Sequence, residues 1–463
     1  MELKVKSILD PQFTPMALVV REMREKTKGE NGQDLVIGVE RNKGAVTTYK
    51  TRIFKDGTGH DEENYFFVER IVKSMLWVAG GFHIIIAGSP VVGKKIKEAY
   101  VDGGYRDFDL HFMETVYETT FTVDIVPLED APKDVSSAES IGRHLDGCRI
   151  GFDAGGSDRK VSAVVNGESV YSEEVVWLPK VNPDPQYHFD GIYAAMKSAA
   201  EKMPRVDAIG VSSAGVYIDN KIMVASLFLK VSKEDFAKRV KTMYMDVAKK
   251  LSEELGHEIP IEVANDGDVT ALAGAMDLND DSVLGVAMGT SEAGGYVDPD
   301  GNITGWLNEL AFVPVDFCKN AMVDEWSGDY GCGVKCFSQD GVIKLAPAAG
   351  IEIDPDLTPA EKLKVVQKLM AEGDERAAKI YDTIGCYFGY GIGYYAEFYD
   401  IKHVLIMGRV TSGKGGEILL ARAQEVLDKE FPELAKKCKL HIPDESSRRV
   451  GQSVAAASLP KLA

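Results

Sequence analysis

Apolar positions along the chain fall into two rhythms, alternate residues and a three-to-four spacing, and these predict an alternation of strands and helices. Before residue 131, two strand-like runs at 34–40 and 82–87 flank a helical candidate at 63–78. The pattern sharpens after residue 148. Residues 149–153 read as a strand, Ala154-Gly155-Gly156-Ser157 as a turn, and 161–165 as the returning strand of a hairpin. Runs at 208–211 and 261–264 have the continuous apolar character of buried strands, with helical spacing at 234–255 between them. A second glycine-punctuated hairpin is predicted at 282–302. The strand 403–407 then leads through the glycine-bearing stretch 408–416 into a helix at 417–430. This alternation predicts an α/β fold with two similar lobes.

Residues 131–140 are small and polar, contain a proline and show neither period, which marks a linker. The expected organisation is an N-terminal accessory α/β segment at 1–145, a first lobe at 146–264 and a second lobe at 265–447. A C-terminal helix, 448–463, is expected to return to the first lobe. The strand-turn-strand at 36–53 echoes that at 150–165, and 84–100 echoes 404–425. Residues 1–145 are therefore open to two readings, a degenerate copy of a lobe or an unrelated accessory domain.

Composition narrows the function. The 463 residues carry 53 Lys+Arg against 72 Asp+Glu, a formal net charge of −19, and this acidity argues against nucleic acid and anionic membrane surfaces as partners. The start of the chain shows no basic segment leading into an apolar one, so no export signal is read. The most apolar stretch, 74–92, is interrupted by Gly80, Gly81, His83, Gly88 and Pro90, and reads as a helix end followed by a strand rather than a membrane span. Six cysteines in this length fit reduced thiols. A cytoplasmic protein is expected.

Three segments carry candidate chemistry. In the stretch from Gly151 to Ser157, Asp153 ends a strand and is followed by Gly155 and Gly156, whose backbone can approach a ligand closely. Such a turn can hold a phosphate, with Asp153 contacting Mg²⁺ directly or through water, and it also fits an ordinary glycine turn. The stretch from Gly285 to Val297 repeats the logic with Gly289, Thr290, Ser291 and Gly294. One hairpin from each lobe can grip a polyphosphate. Between them, Asn265-Asp266 follows a strand and precedes an alanine-rich helix, which puts both at a strand's carboxyl end, where open α/β sheets build clefts. Asp266 can accept the proton of a hydroxyl attacking a γ-phosphate, and the acidic cluster also suits a helix cap.

In order along the chain, these motifs resemble the acetate and sugar kinase, heat-shock ATPase and actin superfamily, and within it the ROK family of repressors and sugar kinases. The resemblance covers about residues 146–463. It implies two actin-like, ribonuclease H-like lobes around a cleft. Asp153 to Ser157 resembles the first phosphate motif, and Gly210 to Gly215, with Ser213, the small-residue turn facing the sugar. Asn265-Asp266 resembles the catalytic pair, Gly289-Thr290-Ser291 to Gly295 the second phosphate motif, 308–316 the family's sugar-contacting segment, and Gly408 to Glu417 the adenosine motif. The resemblance implies Asp266 as base, Asn265 and Glu309 as hydrogen-bond partners of sugar hydroxyls, and ATP with Mg²⁺ as cosubstrate and cofactor.

Departures are visible. Phe312 stands where the family has a histidine that meets sugar and zinc. The family's zinc loop survives only as Tyr330-Gly331-Cys332-Gly333-Val334-Lys335-Cys336, and two thiolates are too few for a closed site, so zinc is expected to be absent. Arg409 replaces a small residue and is open to stacking on a base, contacting phosphate, or lying in solvent. The aromatic and glycine run 387–399 reads as a packed helix. The expected activity is ATP-dependent phosphorylation of a sugar hydroxyl, and the alternative is a non-catalytic sugar or nucleotide sensor. Self-association, through residues 1–145 or otherwise, is open.

Overall fold

The computed structural model describes residues 2–136, 141–224, 226–443 and 451–462. Residues 137–140 of the expected linker and 448–450 of the expected C-terminal helix lie outside the described residues. The chain divides into two compact units. Unit 1 comprises Met1–Ser137, Val286–Gly294 and Trp306–Pro443, and unit 2 comprises Ala138–Gly285, Gly295–Gly305 and Asp444–Ala463.

Unit 1 opens with the strands β1 (Gly32–Glu40), β2 (Val46–Phe54), β3 (His83–Ala87) and β4 (Thr122–Val126), in the sheet order β2-β1-β3-β4. Leu35, Ile37 and Val39 on β1 are fully buried, as the alternating pattern requires. The helix Asp61–Val78 joins β2 to β3, and a second helix, Pro90–Ala99, starts where Ser89 accepts a bond from the Val92 amide. β1 runs antiparallel to both β2 and β3, while β3 and β4 are parallel.

Unit 1 also buries six charged side chains together. Glu69, Arg70 and Lys73 come from the helix Asp61–Val78, Arg106 and Asp109 from the start of the helix Asp107–Tyr117, and Asp329 from the loop before Cys332. Asp329 takes Arg70 at 3.0 Å, Lys73 at 3.2 Å and Arg106 at 2.9 Å. Arg70 also meets Glu69 at 2.7 Å, Arg106 meets the other oxygen of Glu69, and Lys73 meets Asp109 at 3.2 Å. The Trp77 indole donates to Asp109 at 2.6 Å. Three cations and three anions are tolerated in a dry interior because each desolvated charge has opposite neighbours. Burial still pushes the Glu69 carboxyl up to about 7 despite Arg70 beside it.

Unit 2 contains β5 (Cys148–Ala154), β6 (Asp158–Val165), β7 (Glu168–Val176), β8 (Ala208–Ser213) and the short hairpin β9 (Val216–Ile218) with β10 (Lys221–Val224), followed by β11 (Ile261–Asn265). Its main sheet has the order β11-β8-β5-β6-β7. β5, β6 and β7 form an antiparallel meander, while β8 is parallel to both β5 and β11. This is where the two N-terminal hairpins part company. β1 meets its next partner antiparallel and β5 meets its own in parallel, so the echo between 36–53 and 150–165 extends to the hairpin and not to the sheet.

On β5, Ile150, Phe152 and Ala154 enter the core together with Ile209 and Val211 of β8. The opposite face carries Gly151 and Gly210. A Cβ at either position would collide with backbone carbonyls of the helix Gln452–Ala457, at Ser453 and Ala456 respectively. The helical spacing at 234–255 resolves into a π segment, Phe236–Val240, and a helix, Met243–Leu255, closed by Gly256 at φ +78°.

The remaining strands, β12 (Val283–Met288), β13 (Glu292–Val297), β14 (His403–Met407) and β15 (Lys439–His441), make a sheet of order β13-β12-β14-β15. The helix Lys414–Glu430 follows β14, and Glu375–Tyr395 packs against it. Gly385 and Gly389 face Leu419, Ala423 and Val426 there, which accounts for the small residues in the aromatic run. Among the described residues no helix is long and apolar enough to cross a membrane. All six cysteines are free thiols.

Removing Asp329 would leave three buried cations short of an anion. Asp329→Ala should therefore lower the unfolding free energy by about 3–5 kcal/mol, read as a reduced urea midpoint at unchanged slope.

Candidate active site

The parallel register of β5, β8 and β11 sets Asp153 beside Ser212 and Ser213 beside Asn265, all at the carboxyl ends of their strands. The Ser212 hydroxyl donates to Asp153 Oδ1 at 2.9 Å. Burial is the main influence on Asp153 and pushes its carboxyl up to about 6, with the neighbouring Asp266 adding to the rise and the Ser212 bond opposing it. Ser213 shares a 2.8 Å hydrogen bond with Tyr244.

Asn265 caps the helix Asp266–Leu278: its Oδ1 accepts from the Gly267 amide at 2.7 Å, while its Nδ2 donates to the Gly215 carbonyl at 2.7 Å. Gly215 sits at φ +136°, a conformation that suits glycine. One N–H and further lone-pair capacity of the Asn265 amide remain for a ligand. The capping role read from the sequence thus belongs to Asn265, and Asp266 occupies the first helical turn. Asp266 is half-buried and accepts from the Gly267 amide at 3.0 Å. Burial raises its proton affinity, while that amide and Lys180 work in the other direction. Gln452 donates both to Ser212 Oγ at 2.9 Å and to the Asp266 carbonyl at 3.0 Å, tying the terminal helix to the strand ends.

The first glycine turn is open. Gly156 and Ser157 are exposed, and the Ser157 hydroxyl donates to Asp158 at 3.1 Å.

The other sequence-selected residues lie in unit 1. Thr290 Oγ1 accepts from Arg409 Nη2 at 2.9 Å, so the turn after β12 and the loop after β14 are joined by a side-chain bond. Gly289 donates its amide to the Ser291 carbonyl at 3.0 Å and accepts at its own carbonyl from the Gln339 amide at 2.9 Å. Gly408, at φ +98°, lies so close to Met288 that a Cβ would collide with its backbone. Gly294 likewise abuts the Asn308 carbonyl and Leu310. Beyond Gly408, a cavity of about 270 Å³ is lined by Gln367, Met370, Tyr381, Ser412, Gly413 and Lys414.

Glu309 is half-buried, and its amide donates to the Trp77 carbonyl at 3.0 Å. Beside it Glu292 is 2% exposed. Tyr395 donates to Glu292 Oε1 at 2.9 Å, and among the described residues Oε2 has no hydrogen-bond partner. Burial, reinforced by the charge of Glu309, pushes the Glu292 carboxyl up to about 8. Phe312 has joined an aromatic cluster with Trp77 at 4.2 Å and Phe108 at 5.6 Å between ring centroids. Cys332 and Cys336 are buried, and burial raises both thiols to about 12. Among the described residues neither joins a three-member cluster able to hold a metal.

Four residues at or near these positions had escaped the sequence reading: Lys180, Tyr244, Glu292 and Gln452. Each is a single side chain brought in by tertiary packing, with no spacing signal around it.

No family model and no curated protein matches the chain. The solved structures it resembles are ROK family sugar kinases and ROK transcriptional regulators of the actin-like fold. A ROK family transcriptional regulator described as a homologue of the E. coli MLC protein is 17% identical, with 68% of this chain and 79% of that one covered at a TM-score of 0.50. The ROK hexokinase from Thermus thermophilus is 18% identical, with coverages of 67% and 97% and a TM-score of 0.48. A ROK family glucokinase from Streptomyces griseus, solved with glucose and AMPPNP, is 19% identical, with coverages of 67% and 98% and a TM-score of 0.44. The likeness to the regulator is one of fold: mixed α/β, of the actin-like kind.

Two outcomes follow from these environments. Because the folded state raises the Glu292 carboxyl from 4.5 to about 8, it binds a proton the unfolded chain has already released, so this group's contribution to stability falls as pH rises from about 4.5 to 8. Urea titrations across that range should show less loss in Glu292→Gln than in the natural chain. Metal analysis of the purified protein should find zinc well below one per chain, since among the described residues Cys332 and Cys336 join no three-member ligand cluster.

Proposed function

We propose that the chain transfers the γ-phosphoryl group of ATP to a hydroxyl of a sugar or sugar derivative, with Asp266 as general base. The observation that carries the reading is the convergence of Asp153, Ser212, Ser213, Asn265 and Asp266 at the carboxyl ends of β5, β8 and β11. Burial raises the proton affinity of Asp266, which makes it a stronger base than an exposed aspartate. In the transfer the acceptor oxygen bonds the γ-phosphorus, the bond to the β–γ bridging oxygen breaks, ADP leaves, and the hydroxyl proton passes to the Asp266 carboxylate. Asn265, Ser213, Gly215 and Glu309 would hold the acceptor through its other hydroxyls. Glu309 can accept from two of them.

A metal fits the residues present. Asp266 strengthens the hold of Asp153 on its proton, and among the described residues only one Asp153 oxygen is engaged, by Ser212. Asp153, with water and phosphate oxygens, would hold Mg²⁺, which supplies charge neutralisation at the phosphates. Backbone amides of Gly155, Gly156 and Ser157, and of Thr290, Ser291 and Gly294, would serve the phosphates beside Gly289, with Arg409 held at Thr290 as a cation. The cavity beside Gly413 and Lys414 supports Gly408 and its loop as the nucleoside contact. ATP chemistry and six free thiols support a cytoplasmic setting.

A second reading, a sugar or nucleotide sensor without turnover, is favoured by Phe312, whose ring packs on Trp77 and offers a hydroxyl no hydrogen bond. Turnover across a hexose panel with Mg·ATP separates the two. The natural chain should phosphorylate at least one sugar, and Asp266→Asn should lose about 10²–10⁴-fold in kcat while calorimetry still registers Mg·ATP binding. Equal turnover in both proteins would remove Asp266 as base. Sugar binding with no turnover in the natural chain would establish the sensor.

A further inference from the structure

The first glycine turn has a cation standing over it that no motif announced. Lys180 lies in the short turn Pro179–Val181. A Cβ built on Gly156 would come within 2.9 Å of Lys180 Cε and 3.1 Å of its Nζ, so the ammonium rests against the glycine's open face. The segment carrying it is anchored. Trp177 is fully buried and donates its amide to the Ser157 carbonyl at 3.0 Å, and Pro179 is buried.

Lys160, on the strand that follows the turn, lies 3.7 Å from Glu174. Lys180 makes no hydrogen bond or ion pair among the described residues. Its field nevertheless reaches Asp266, where it favours the ionised form. An ammonium group held at a glycine turn in a chain of net charge −19, near a base but paired with nothing, has the position of a group whose partner is an incoming anion.

We propose that Lys180 is a phosphate-binding residue of the 153–157 turn, contacting the oxygens of the transferred phosphoryl group. The role rests on the phosphotransfer reading above. During transfer Lys180 keeps its proton: the acceptor oxygen–phosphorus bond forms, the β–γ bridge breaks toward ADP, and the hydroxyl proton goes to Asp266 alone. The ammonium offsets charge on the three phosphoryl oxygens as a compact point charge.

The test uses the full chain, Mg·ATP and a hexose that supports turnover. Lys180→Met should lower kcat/KM for Mg·ATP by about 10²-fold, and Lys180→Arg, which keeps the charge, should recover most of it. The acid limb of the kcat/KM profile should move to higher pH in Lys180→Met, because Asp266 loses its cationic neighbour. Asp153, Tyr217, Tyr244 and the Gly267 amide still face Asp266 in the variant. The side chain is exposed, so the melting temperature should not change. Unaltered kcat/KM and an unaltered acid limb, with the natural chain active, would overturn the role of Lys180 alone. Absence of both Mg·ATP binding and turnover in the natural chain would overturn the phosphotransfer reading and this role with it.

Discussion

Two missing side chains govern the arrangement of unit 2. Gly151 on β5 and Gly210 on β8 leave room for the backbone of the helix Gln452–Ala457 to lie directly on the sheet, at a separation no Cβ would permit. That contact brings Gln452 onto Ser212 and the Asp266 carbonyl. Ser212 in turn holds Asp153. A residue near the end of the chain thus braces two strand ends more than 180 positions earlier, through one amide group and two hydrogen bonds. The opposite faces of the same strands carry Ile150, Phe152, Ile209 and Val211 into the core, so one alternating pattern supplies both the packing face and the bare one.

The two units treat buried charge differently. In unit 1 the six-member cluster around Asp329 closes on itself, because every ion has an opposite partner within hydrogen-bonding reach. It joins the helix Asp61–Val78 to the loop that leads into Cys332. Asp153 and Asp266 in unit 2 lack such closure. They are left with raised proton affinity, an adjacent like charge and one unpaired lysine. Unbalanced charge at a strand end is a typical mark of a site awaiting a ligand, whereas balanced charge in a core is a structural device.

Much of the α/β alternation was legible. The strands at 148–154, 208–213, 261–265 and 403–407 announce themselves by short apolar runs ending in glycine, serine or asparagine, and strand ends are where Asp153, Ser213, Asn265 and Gly408 lie. Other features were not legible. The helical spacing over 234–255 is continuous in sequence yet interrupted by a π segment. The echo between 36–53 and 150–165 gives no hint that β1 and β5 take their next partners in opposite directions, since a hairpin's pattern is blind to what pairs with its other edge. The aromatic cluster of Trp77, Phe108 and Phe312 unites three distant positions, and Glu292 was hidden inside a glycine hairpin whose buried carboxyl no local rule flags.

By itself the sequence determined which residues could do chemistry and where the backbone must turn: acids and amides at strand ends, glycines where a side chain would obstruct, a chain too acidic to favour polyanions by its overall field. These are local properties, carried by residue type and spacing. Only the tertiary structure decided which charges are answered and which are not. Whether a lysine meets a carboxylate, or a glutamate keeps one oxygen without a partner, depends on contacts between segments hundreds of residues apart. The free energy of a charge is set by its surroundings and not by its neighbours in the chain.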